Sequence, residues 1–346
     1  MAQISTTTPS AVALLIGPHR IASPVALAPM SGITDAPFRR MVARFGAGWV
    51  VSEMVPSDDL ALGGEEARLR AEGDGLDLHV VQIAGCEAHW MAEGAKVAAG
   101  AGAKVIDINM GCPAKRVTGG YAGSALMRDL DHAENLIKAT VAAVDVPVTL
   151  KMRLGWDEAS INAAELARRA EAAGVQLITV HGRTRQQFYK GQANWALIAA
   201  VRAAISLPLV ANGDVTTAGQ ASECLDKAGA DAVMIGRGAQ GRPWFLAQVG
   251  AHLTGAPVPA DPDLADQHAV IVELYEAQLG HYGVAVGVRH ARKHLGWALD
   301  AAAEHAGADA ATLAAARRRV LTIDEPKEVI KALDEAYDAL AWRAAA

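Results

Sequence analysis

Cysteine is scarce in this 346-residue chain. Cys86, Cys112 and Cys224 are all there is, an odd number with no Cys-x-x-Cys pair, which argues against a disulfide framework and a zinc ribbon. Such usage fits a reducing, cytosolic compartment, so a cytoplasmic location is expected. Long hydrophobic runs are missing as well. No stretch of about 20 apolar residues occurs, so no transmembrane helix is expected. The apolar run at 11–16 is short and has no basic segment before it, unlike a secretory signal. Glycine, at 33 residues, follows no collagen-like period. A charged fraction of 20% beside 51% hydrophobic residues is too low for a disordered chain. Positive charge is not in excess: 32 Lys and Arg face 38 Asp and Glu, a formal net charge of −6. Phosphate binding is mostly electrostatic, so this balance weighs against nucleic acid, though it says little about any one face. What remains is ample apolar sequence for one large or two unequal domains.

That apolar sequence is organised. Short runs rich in β-branched residues recur at 25–29, 49–52, 79–83, 105–109, 148–152, 177–180, 209–211 and 232–235. They are mostly continuous rather than alternating, as strands buried on both faces are. Between them, 36–44, 89–99, 131–144, 161–173, 195–204 and 218–227 carry helical spacing. Gly100, Gly102, Gly174 and Gly229 stand where such helices end, and glycine caps a helix in the left-handed conformation without steric cost. Eight such units predict an α/β fold, a (β/α)8 TIM barrel. A doubly wound sheet is the weaker alternative, because no Gly-x-Gly-x-x-Gly follows the first strand. Three prolines between Thr254 and Pro262 read as a linker. Beyond it, 264–282, 286–303, 310–321 and 327–342 predict a small C-terminal helical bundle. The expected division is residues 1–255 for the barrel and 263–346 for the bundle.

In a barrel the chemistry sits at the carboxyl ends of the strands, and polar residues gather there. The first strand ends in Pro29-Met30-Ser31-Gly32 and the second in Ser52-Glu53-Met54. Gln82 lies in the third, and the fourth leads from Asp107 through Asn109 to Gly111-Cys112-Pro113. Lys151 and Arg153 lie in the fifth, His181-Gly182-Arg183 ends the sixth, and Asn212-Gly213-Asp214 and Gly236-Arg237-Gly238 end the last two. Such residues are poor strand formers and expensive to bury, so repetition over so many strand ends points to function rather than packing. Loops after the seventh and eighth strands commonly form a phosphate site. The glycines there allow close backbone approach and Arg237 offers a guanidinium, although Asn-Gly is also an ordinary turn signal.

Cys112 is the sharpest residue. A lone cysteine is usually a small buried hydrophobe, which is the expectation for Cys86 and Cys224 in helical stretches. Cys112 differs because Gly111 and Pro113 enclose it at a strand end, where it could act as nucleophile or acid. A Cys–His hydrolase would use His181 but leaves Lys151 without a purpose.

Together these segments resemble the flavin-dependent tRNA-dihydrouridine synthases, and within them the bacterial B-type branch. The resemblance rests on Ala28-Pro-Met-Ser-Gly-Ile-Thr-Asp35, Val81-Gln-Ile-Ala-Gly85, Asn109-Met-Gly-Cys-Pro-Ala-Lys-Arg116 and Ala122-Gly-Ser-Ala-Leu-Met127. It continues through Lys151-Met-Arg153, His181-Gly-Arg-Thr-Arg185, Ala211-Asn-Gly-Asp214, Ile235-Gly-Arg-Gly238 and Arg289-His-Ala-Arg-Lys-His-Leu-Gly-Trp297. It implies an FMN-binding barrel that reduces a D-loop uridine of tRNA to 5,6-dihydrouridine with NADPH. By the same resemblance Pro29, Met30, Ser31, Gln82, Lys151 and His181 surround the flavin, while Asn212, Gly213, Asp214, Gly236 and Arg237 hold its phosphate. Cys112 matches the general acid, Asn109 a residue holding the uracil, and Arg153 and Arg183 further substrate contacts. Lys115 and Arg116, with Arg289, Arg292 and Lys293 on the bundle, are the expected RNA contacts.

The chemistry suits the residue types. No side chain donates hydride, so a flavin or nicotinamide must; hydride reaches C6, charge moves toward C5 and O4, and C5 is then protonated. Free thiols are mostly protonated at neutral pH, which makes Cys112 an acid rather than a nucleophile. Arg289, Arg292 and Lys293 share one helical face, whereas Arg317, Arg318 and Arg319 spread around theirs as a solvated run does. A small-molecule flavin barrel of the dihydroorotate or dihydropyrimidine dehydrogenase kind is the alternative enzyme. A non-enzymatic RNA-binding protein is the other, against which intact Cys112, Asn109 and Lys151 argue. No metal and no membrane partner is expected. From Asp261 onward nine Lys and Arg stand against fourteen Asp and Glu, so RNA contact is expected on a basic strip, not a whole surface.

Overall fold

The structure, a computed structural model, describes residues 14–344; positions 11–13 of the opening apolar run lie outside them. An antiparallel hairpin, β1 (Leu15–Ile16) and β2 (His19–Arg20), comes first. Eight parallel strands follow: β3 (Val25–Leu27), β4 (Trp49–Pro56), β5 (His79–Ala84), β6 (Val105–Met110), β7 (Val148–Arg153), β8 (Leu177–His181), β9 (Leu209–Asn212) and β10 (Ala232–Ile235). They close into a barrel in chain order, with β10 paired back onto β3. The eight expected strands are all there.

Around them the expectations shift in places. Strand β4 runs four residues beyond 52, through a register shift between Val51 and Met54. The short helices Ser57–Ala61 and Glu65–Ala71, which the sequence reading lacked, fill the connection to β5. The helix expected over 195–204 is a 3-10 turn, Trp195–Ile198, leading into Ala199–Arg202. Cys224 is buried in the helix Ala218–Ala228, but Cys86 lies before the helix Ala88–Gly100 and is only half-buried. Gly100 is the last residue of that helix rather than its cap, whereas Gly229 does cap in the left-handed conformation.

The barrel interior is graded along its axis. Strand side chains alternate, so one register set points inward, and its lower tier is apolar: Val51, Val80, Val105, Leu177 and Val210 pack with Ile16 of the hairpin, which closes the bottom. Two residues further along the same strands come Gln82, Asp107, Thr179 and Asn212, and beyond these Asn109 and His181. The alternation is hidden in the sequence because the outward residues, such as Ile83, Ile108, Met152 and Val180, are buried under helices and equally apolar.

Helix Phe245–Thr254 ends at Gly255 in the left-handed conformation, with no regular structure again until Asp263 caps the next helix. Four helices follow, Leu264–Tyr282, Val284–Ala306, Ala310–Val320 and Pro326–Ala344. Their apolar residues join the same core cluster as the barrel's outer face. The contact is polar as well: Gln278 Nε2 donates to Asp35 Oδ2 at 2.8 Å, and Arg44 meets Glu273 bidentately at 2.6 and 2.7 Å. The helices therefore sit against the first βα unit rather than swinging on a tether.

Candidate active site

The upper inward tier is one hydrogen-bonded set. Asp107, fully enclosed, accepts from Thr149 Oγ1 and from Gln82 Nε2, each at 2.6 Å. Burial pushes its carboxyl up, while those two donors pull it back, and a carboxyl left without them would be costly there. Gln82 Oε1 in turn accepts from Asn109 Nδ2 at 2.6 Å. Asn109 Oδ1 takes the backbone N–H of Gly111 at 3.1 Å and of Cys112 at 2.9 Å. A side-chain amide that caps its own turn in this way fixes where the cysteine points. The other side of that loop is held by Ser124, whose N–H and hydroxyl both donate to the Cys112 carbonyl, at 3.0 and 2.8 Å. Gly123 (φ +60°) lets the two segments touch, since a Cβ on it would stand 2.8 Å from that carbonyl.

Three basic groups share the next sector. Lys151 Nζ donates to Asn212 Oδ1 at 3.1 Å; burial, then repulsion by Arg153, lowers its pKa to about 8. Arg153 is buried and donates to the carbonyls of Gly111, Thr184 and Phe188, each at 2.8 Å. It thus ties the cysteine loop to the loop after β8. Burial lowers its pKa to about 10, which still leaves a cation at neutral pH. His181 is held well below the usual imidazole range by burial and then by Arg153 and Lys151, so it is neutral.

At the ends of β9 and β10 the charges are arranged around Asp214. Arg183 meets it bidentately at 2.9 and 2.5 Å, Arg237 at 2.9 Å, and the Ala193 N–H at 2.8 Å. Burial works to raise the Asp214 pKa, but Arg183 above all holds it below the usual carboxylate range. Two guanidiniums about one carboxylate leave a net positive end. Gly213 is the close approach here: φ is +126°, and a Cβ would meet Ala193 Cβ at 2.6 Å.

These groups line one cavity of about 1510 Å³, above the ~300–1,000 Å³ usual for a single small ligand. It takes in every residue expected at the flavin, from Pro29, Met30 and Ser31 to Gly236 and Arg237, together with Asn109, Cys112, Arg153 and Arg116. Arg183 is not brought there. It is 1% exposed, and its guanidinium is spent on Asp214 and on the carbonyls of Lys190 and Gly191. Lys115 and Arg289 are exposed outside the cavity. Arg292 is paired with Asp324 at 2.5 Å, and Lys293 reaches the Gly32 carbonyl at 2.5 Å. Sequence reasoning missed Asp107 as an orienting group; the signal was its place two residues before Asn109 on an inward face. It also missed Tyr189, which lines the cavity mouth 53% exposed, with Arg153 and Arg237 at 5.6 and 5.9 Å from its ring. Among the described residues no group of three or more His, Cys, Asp or Glu is placed to hold a metal ion, and no helix is long and apolar enough to cross a membrane.

A closed barrel whose polar cavity opens at the strand carboxyl ends, with a cysteine loop on one side and a cationic end on the other, defines a (β/α)8-barrel enzyme. Residues 26–336 match the family model described as dihydrouridine synthase (Dus). The chain belongs to the dihydrouridine synthase family. It is 58% identical over 315 residues to a probable tRNA-dihydrouridine synthase of Rhizobium leguminosarum bv. phaseoli, covering 91% of this chain and 95% of that one. It is 47% identical over 290 residues to tRNA-dihydrouridine synthase B of Pseudomonas putida, covering 83% and 86%. A solved 2-naphthoyl-CoA reductase complex is similar with a TM-score of 0.55 at 14% identity, covering 71% of this chain and 52% of that one, a likeness of fold alone.

Proposed function

We propose that this protein is a cytoplasmic tRNA-dihydrouridine synthase that binds FMN and uses NADPH to saturate the C5–C6 bond of a D-loop uridine. The observation that carries this is the joint lining of one cavity by the Cys112 loop, the basic sector and the cationic end, in a chain of this family. The donor set fits FMN. The net positive charge at Arg183, Asp214 and Arg237, with the bare backbone of Gly213, suits a phosphate, and Lys151 suits the electron-rich edge of a flavin. Reduced FMN, when bound, supplies the hydride for C6.

The chain's own residues do the rest. Cys112 holds the proton delivered to C5 and is aimed by Asn109 and Ser124. Lys151 and Arg153 place positive charge where the uracil gains negative charge. His181, being neutral, adds a hydrogen-bonding group without adding charge. A base has to leave its stack to enter the barrel, as RNA-modifying sites require, and the cavity is large enough to hold a base beside the cofactor. Arg183 and Asp214 act by positioning Arg237 and the loop after β8. The C-terminal part, 263–346, is the tRNA-docking part; of the basic residues expected at RNA, Lys115, Arg116 and Arg289 have no carboxylate partner among the described residues, unlike Arg292, and are free for phosphates.

The test is NADPH oxidation by purified protein. Oxidation coupled to dihydrouridine formation in unmodified tRNA, and not stimulated by uracil or orotate, is the expected result. A protein that retains no flavin, or that reduces orotate and not tRNA, would overturn it.

A further inference from the structure

The loop after β3 carries Pro29, Met30 and Ser31 into the cavity. Met30 is tied within the loop, donating to Thr34 Oγ1 at 2.9 Å and accepting from Ile33 and Thr34 at 2.9 and 3.0 Å. Gly32, at the tip, is held from outside instead. Its N–H donates to Glu53 Oε1, and its carbonyl accepts from Lys293 Nζ at 2.5 Å. With φ +71° and a would-be Cβ 3.1 Å from that ammonium, Gly32 is shaped to the contact.

Both partners are placed by features specific to them. Glu53 sits in the β4 register shift, and such bulges re-aim a side chain, often beside an active site. The Ser52 hydroxyl completes the bulge, donating to the Glu53 carbonyl at 2.8 Å and accepting the Gln82 N–H at 2.9 Å. Glu53 is 3% exposed. Burial pushes its carboxyl up while the Gly32 N–H works the other way. Lys293 comes from the helix Val284–Ala306, 261 residues away in sequence.

We infer that Glu53 and Lys293 are positioning residues that clamp Gly32 from two sides and so set the Met30–Ser31 edge of the cofactor cavity, with Lys293 spent on this loop rather than on RNA. The inference rests on the flavin reading above and extends it. A charge-assisted hydrogen bond to a backbone carbonyl is among the stronger ones, and its loss leaves Gly32 held from outside by Glu53 alone among the described residues.

The experiment pairs FMN titration of the apoprotein with steady-state kinetics on tRNA, for Lys293→Met, Lys293→Arg and Glu53→Gln. Lys293→Met is expected to weaken FMN about tenfold and to lower kcat, with KM for tRNA and its salt dependence unchanged. Lys293→Arg should restore most of the FMN affinity, and Glu53→Gln should shift it in the same direction as Lys293→Met. Unchanged FMN affinity with a raised tRNA KM and a salt slope shallower by about one would make Lys293 a phosphate contact and overturn the clamp. If Lys293→Met does not fold, FMN affinity unchanged in Glu53→Gln overturns it equally. Failure of the flavin reading is distinct: the unaltered protein itself would then neither bind FMN nor reduce tRNA.

Discussion

At the scale of single residues, Cys112 and Lys151 divide the labour, and each can be removed alone. Cys112 hangs from Asn109 and Ser124 by backbone bonds, so deleting its thiol leaves the loop in place. Cys112→Ala should keep FMN and its reduction by NADPH intact while cutting dihydrouridine formation by about 10²–10⁴-fold, the usual worth of a general acid; an unchanged product yield removes Cys112 from that role. Lys151 predicts a pH effect. With a pKa of about 8, its charge is present below that pH and lost above it. FMN affinity of the apoprotein should therefore fall as pH rises through 8. In Lys151→Met affinity should be weaker throughout and flat with pH, and a parallel fall in that variant would assign the effect elsewhere.

Elements explain why some of this could be read from sequence and some could not. Recurring short apolar, β-branched runs announced all eight barrel strands, and polar residues within them marked Gln82, Lys151 and His181, because a strand rarely keeps such residues without a purpose. Arg183 looked the same on paper. Its different fate is set beyond the end of β8, where the side chain is buried against Asp214, a contact 31 residues away. Glu53 was equally illegible, since a bulge is a matter of pairing between strands and not of composition. The same local geometry gives a stability prediction. Gly213→Ala must place a methyl 2.6 Å from Ala193 Cβ and 2.9 Å from His181 Cδ2 at φ +126°, and should cost about 1–3 kcal/mol with loss of retained FMN. Gly219→Ala, on a helix with nothing within 4 Å of the new methyl, should be neutral or stabilising by up to about 1 kcal/mol. Thermal unfolding of the two variants checks the contrast; equal melting temperatures would refute it.

For the whole molecule the question is how a chain of net charge −6 takes hold of a polyanion. Pairing answers it better than totals do. On the C-terminal helices Arg292, Arg317 and Arg319 are bound to Asp324, Asp300 and Glu335, so those cations offer little to phosphate without first breaking a contact. Beside the cavity one group of cations escapes such pairing. Lys115, Arg116, Arg128 and Arg185 have no carboxylate partner among the described residues, and Arg128 and Arg185 both lie over the Trp156 ring, at 4.9 and 4.7 Å. A cation resting on an aromatic ring keeps its charge available, and rings beside free cations suit single-stranded RNA. With these four and Arg289 as phosphate contacts, the logarithm of tRNA affinity should fall against that of salt concentration with a slope of roughly −3 to −5. Replacing Lys115 and Arg116 together by serine should make it shallower by about two without changing kcat. Arg317→Ser, which breaks an existing pair, should leave the slope alone and lower stability instead. Filter binding over a range of salt separates the outcomes: a slope that responds to Arg317 and not to Lys115 and Arg116 would mean that the paired cations, not the unpaired ones, meet the phosphates.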